Sequence, residues 1–82
     1  TMKNLNRILL YQVEMTFHGY LNYIRVNKAS ELLLTTDKTI LDIALEVGYN
    51  TEKTLSRNFI MIRHITPGKF RTNMRFQGIE NI

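Results

Sequence analysis

Glu52, Lys53, Ser56 and Arg57 interleave with Leu55, Phe59 and Ile62, which are apolar residues at helical spacing. The apolar set marks the inward stripe of a helix, and the polar set falls off that stripe. Short and charged side chains displayed in this way can hydrogen-bond to base edges and to phosphate oxygens. Arg57 is the first candidate for reading a base, because a guanidinium can pair with both O6 and N7 of guanine. Its alternative is a surface ion pair with a helix neighbour. Lys53 suits a phosphate or a guanine. Glu52 can accept from N4 of cytosine, or it can favour the start of a helix through the helix dipole. Ser56 is placed for a phosphate.

Those residues need a scaffold, and the residues just before them supply one. Thr39 is a good N-cap, with Asp42 at the third helical position. Ile40, Ile43, Ala44 and Val47 share one helical face. Gly48 can adopt the left-handed conformation that ends a helix, and Tyr49 offers the apolar contact that often follows. Asn50 or Thr51 then caps the next helix. Two amphipathic helices joined by so tight a turn, with Gly in it, are the sequence form of a helix-turn-helix.

Composition narrows the classes further. The chain has 82 residues, enough for one small domain that buries roughly 60–65% of its unfolded surface. It has no Cys, which excludes disulfides and cysteine metal sites and fits a reducing compartment, so a cytoplasmic location is expected. No apolar run is longer than Ile8 to Tyr11, which is far too short to span a membrane. His18 and His64 lie far apart in sequence, with no acidic cluster beside either, so no metal or other cofactor is expected. No glycine-rich phosphate loop or spaced nucleophile–base grouping is present, and no enzyme is expected.

The net charge is +4, from 11 Lys and Arg against 7 Asp and Glu. Residues 1–50 carry five of each sign, so their charges cancel. Residues 51–82 carry six basic residues against Glu52 and Glu80, which is the whole excess. Basic surface beside a candidate reading helix favours a polyanionic partner, although a solvated basic face would look the same in sequence.

Ile40, Ile43-Ala44, Val47-Gly48-Tyr49, Leu55-Ser56-Arg57, Phe59 and Thr66-Pro67-Gly68-Lys69-Phe70-Arg71 together resemble the second helix-turn-helix of AraC/XylS-family transcription regulators. The resemblance implies an all-α, homeodomain-like helix-turn-helix domain that binds double-stranded DNA and regulates transcription, more often as an activator. On it, Glu52, Lys53 and Thr54 match the exposed start of the recognition helix, and Arg57 matches a position facing the major groove. Leu5-Asn6-Arg7-Ile8-Leu9 resembles the recognition helix of the family's first motif, which would turn Lys3, Asn6 and Arg7 outward. Lys69 and Arg71 are expected at phosphates or in structural contacts. Arg25 is expected in a structural role. RNA polymerase is a further partner that the resemblance implies.

Taken in order, the chain is expected to hold a partial first motif over 1–16 with Thr1 as its cap. A break at Met15-Thr16-Phe17 should follow, then a linker helix over 17–35 with Phe17, Leu21, Ile24, Ala29, Leu32 and Leu33 on its apolar stripe. The second motif with its closing helix is expected over 39–73, and a frayed tail over 74–82. The scaffold helix of the first motif has no counterpart here, so the family's domain is expected to be truncated at its N-terminus. Glu14 stands where the family usually has a turn Gly, and His64 replaces another. Ile60, Met61 and Ile62 follow Phe59 where the family often has a Lys, so one phosphate contact is lost. The Leu5, Ile8 and Leu9 face needs a cover, which makes a homodimer through it an expected partner. The rival to DNA binding is a truncated protein-interaction or dimerisation module.

Overall fold

Each of the two turns around the helix at 52–63 is made by a residue in the left-handed region, and these two residues set the architecture. The computed structural model describes residues 2–80, with side-chain surroundings for residues 16–75. Among the described residues the chain is all helical: α1 (Met2–Thr35), α2 (Ile40–Val47), α3 (Glu52–Arg63) and α4 (Pro67–Glu80).

The Thr39 hydroxyl accepts from the Asp42 amide at 3.1 Å and starts α2. Gly48 ends it at φ 110°. The Gly48 amide donates to Leu45 O and the Tyr49 amide to Ala44 O, so two orphan carbonyls of the last turn are satisfied. Gly is required here twice over. A side chain would be strained at this φ, and its Cβ would lie 3.0 Å from Nε of Arg25. Thr51 caps α3 by accepting from the Thr54 amide at 3.1 Å. His64 ends α3 at φ 62°, and its amide donates to Ile60 O at 2.8 Å. Thr66 accepts from the Lys69 amide at 3.2 Å, with Pro67 at the first helical position, where no amide donor is needed.

The core is the set of stripes expected for α2 and α3. Ile43, Ala44, Leu55 and Phe59 are fully buried, together with Val26, Ala29 and Leu33 of α1. Ile40, Val47, Ile62, Ile65 and Phe70 pack around them. Phe70 meets Phe59 edge-on at 5.4 Å, a geometry worth about 0.5–1.5 kcal/mol beyond the area it buries. Ser30, the buried polar residue of α1, returns its hydroxyl to Val26 O.

Three expectations are corrected. No break occurs at Met15-Thr16-Phe17, because α1 runs unbroken from Met2 to Thr35. No residue there lacks an amide or favours a positive φ, and Glu14 resists the left-handed turn that Gly would allow. The stripe of α1 holds only in part: Ala29, Leu32 and Leu33 are buried as expected and Leu21 is half-buried, but its first half is not covered. Phe17 and Ile24 are exposed, whereas Val26, Ala29, Leu32 and Leu33 face the core. The apolar residues of α1 are numerous enough to suggest two faces, and only packing against α2, α3 and α4 selects one. Finally, α4 does not stop near Asn73 but continues to Glu80. Arg75 anchors this extension by donating to Thr36 O at 2.7 Å and pairing with Asp37 at 3.1 Å. The expected Thr1 cap lies outside the described residues, as do the side chains of Leu5, Ile8 and Leu9.

Candidate nucleic-acid interface

The inward stripe of α3 determines what its outer side can present. Leu55 and Phe59 are fully buried, so Lys53 and Arg57 point away from the body and are exposed. Glu52 is exposed at the first turn. Ser56 is half-buried on the flank. Thr54 is also half-buried, and its hydroxyl lies 2.8 Å from that of Thr51, so it belongs to the cap more than to the open face. Asn58 is spent inside the helix, donating to Thr54 O at 2.9 Å.

The helix is braced at both ends against α1. Tyr49, just before the cap, donates its hydroxyl to Asn22 Oδ1 at 2.9 Å. Arg25 lies over the Tyr49 ring, 5.3 Å from its centroid, which confirms its structural role. Burial raises the Tyr49 pKa above its ordinary value, and the Arg25 charge partly opposes this. At the far end, Arg63 donates to Asn27 Oδ1 at 2.7 Å.

The basic excess of residues 51–82 divides into two groups. Arg63, Arg71 and Arg75 are committed to the fold. Arg71 donates from Nε to Leu33 O at 3.0 Å and from Nη2 to Thr36 O at 3.2 Å. Of the two roles expected for it, these bonds show the structural one. A guanidinium at these carbonyls also meets the negative end of the α1 dipole. Lys53, Arg57 and Lys69 are exposed, and among the described residues none of their side chains has a hydrogen-bond or ion-pair partner. Lys3, Asn6 and Arg7 lie outside the residues whose side chains are described. Sequence reading missed Asn22, Asn27, Arg63 and Arg75 as positioning residues. Their partners are remote in sequence, and no local pattern signals such pairings.

The helix-turn-helix geometry is accompanied by a match of residues 1–73 to the family model described as a helix-turn-helix domain. The chain belongs to the AraC-type helix-turn-helix family. That family consists of DNA-binding transcription regulators. The AraC-type relatives include the HTH-type transcriptional regulator MtrA of Neisseria gonorrhoeae, 35% identical over 73% of this chain and 20% of its own length. The HTH-type transcriptional regulator YbfP of Bacillus subtilis is 34% identical over 85% of this chain and 24% of its own. The transposon Tn10 TetD protein of Escherichia coli is 36% identical over 72% of this chain and 43% of its own. The chain thus spans about a fifth to a quarter of the first two relatives. No solved structure matches it. No helix among the described residues is long and apolar enough to cross a membrane.

Proposed function

We propose that this chain is a sequence-specific reader of double-stranded DNA, acting in transcription regulation by inserting α3 into a major groove. The observation that carries this reading is the pair Lys53 and Arg57, exposed and unpaired among the described residues, on a helix braced at both ends. A rigid helix with its polar face outward presents those groups in register with base edges and phosphates. Arg57 reads a guanine. Lys53 and Lys69 bind phosphates, Ser56 touches a phosphate, and Glu52 either accepts from cytosine or favours the helix start. Thr54 shapes the cap beneath them. Lys3, Asn6 and Arg7 are proposed as further DNA contacts. Activation through contact with RNA polymerase, and a cytoplasmic setting, follow from the same reading.

A second reading is favoured by one observation. Phe17, Tyr20 and Ile24 are exposed at helical spacing on α1, as a protein-contact face would be. It retains the contacts expected of a dimerisation module, the Leu5, Ile8 and Leu9 face included.

Selection from a random duplex library at physiological salt separates the two. Enrichment of a short motif that Arg57→Ala loses supports DNA reading. Failure to enrich any motif, together with a concentration-dependent oligomer in sedimentation, overturns it in favour of the second.

A further inference from the structure

The outer face of α3 does not end with its polar residues. Lys53, Ser56, Arg57 and Ile60 stand at i, i+3, i+4 and i+7, the spacing by which a straight helix shows four side chains to one groove. Ile60 is 44% exposed, although Phe59 beside it in sequence and Leu55 on the same helix are fully buried. The helix therefore keeps a branched apolar side chain on the same face as cations that are unpaired among the described residues, and no described packing accounts for it. We infer that Ile60 is a specificity-determining residue that reads the C5-methyl group of a thymine in the major groove. This rests on the DNA-reading function proposed above.

The chemistry and the distances agree. In the major groove thymine alone among the four bases presents a methyl group, and apolar side chains are its natural contacts. Ile60 lies about 4.5 Å beyond Arg57 along the helix axis, which is close to one base-pair step of about 3.4 Å. Arg57 and Ile60 would then read neighbouring pairs, a guanine and a thymine. The flanking cations hold the helix against the phosphates, and the methyl contact adds discrimination without adding charge. Because Ile60 is exposed, replacing it leaves the core intact.

The test uses the 82-residue chain and the duplex it selects. Each thymine near the guanine read by Arg57 is replaced in turn by deoxyuridine, which deletes only the methyl group. At one position the wild-type chain should lose about fourfold in affinity, the effect of removing one buried methyl. Ile60→Ala should bind thymine and deoxyuridine there equally, and Ile60→Val should retain most of the preference. All three chains should melt alike. A wild-type chain indifferent to deoxyuridine throughout the site overturns the assignment while leaving Arg57 reading intact. A deoxyuridine penalty that survives in Ile60→Ala also overturns it, because another group then reads the methyl. If no duplex is selected at all, the parent function fails with it.

Discussion

Arg57 and Arg71 are the same residue type, fourteen positions apart, each on a helix within the basic part of the chain. Arg57 is exposed, and its guanidinium meets no described partner. Arg71 is half-buried and ends on the carbonyls of Leu33 and Thr36. The difference comes from what lies opposite. Arg57 projects from the side of α3 that the Leu55–Phe59 stripe turns away from the body. Arg71 projects from α4 toward the C-terminal end of α1, where unpaired carbonyls need donors. Net charge therefore overstates the surface available to a polyanion, since half of the basic residues in 51–82 serve the seams between helices.

Variants can break this comparison. The largest effect on stability is expected from Arg71→Ala, which removes two charge-assisted hydrogen bonds and should cost about 2 kcal/mol in urea unfolding. The folded fraction should bind DNA nearly as before. A stable Arg71→Ala chain with weakened DNA affinity would reverse the assignment. Arg57→Ala should show the opposite pattern. Its stability should stay within about 0.5 kcal/mol of wild type, while affinity for the selected duplex falls by about 1–3 kcal/mol and preference relaxes at one base pair. Equal losses on selected and random duplexes would remove Arg57 from base reading.

Lys53→Ala sharpens the outer face itself. As a phosphate contact it should weaken all duplexes similarly and reduce the salt slope by about 1, read from binding titrations at several salt concentrations. A sequence-dependent loss would instead move Lys53 to a guanine.

The smallest effect belongs to the Tyr49–Asn22 contact. Tyr49→Phe removes the hydrogen bond to Asn22 and should cost about 1 kcal/mol near neutral pH. Burial raises the Tyr49 pKa in the folded chain, so the neutral hydroxyl is the form that folding favours. Its contribution is complete below the unfolded value of 10.0 and is lost as pH rises through the higher folded value. Unfolding curves of the two chains should therefore run parallel at neutral pH and converge in the alkaline range. Curves that stay parallel there would show that the hydroxyl is not held by burial.

Local chemistry made much of the second motif legible. Thr39, Thr51 and Thr66 act as caps, and Gly48 and His64 take the positive φ their positions demand, because each of these depends on a few neighbouring residues. The stripes of α2 and α3 were readable for the same reason: each short helix has one apolar face, and it must be buried. α1 was harder. Its many apolar residues fit more than one stripe, and with Glu14 in place of a turn Gly nothing in its own sequence interrupts it. The true inward face, through Val26, Ala29 and Leu33, exists only because other helices pack there.

The sequence by itself thus determined where α2 and α3 begin and end, which of their residues line the core, and that Lys53 and Arg57 stand off that core. Tertiary structure alone decided which arginines remain outside. Arg63 meets Asn27, Arg71 meets Leu33 and Thr36, and Arg75 meets Thr36 and Asp37, across separations of more than thirty residues. Caps and turns are set by backbone geometry over three or four residues. The fate of a long cationic side chain depends on which carbonyls and amides the folded chain brings within its reach.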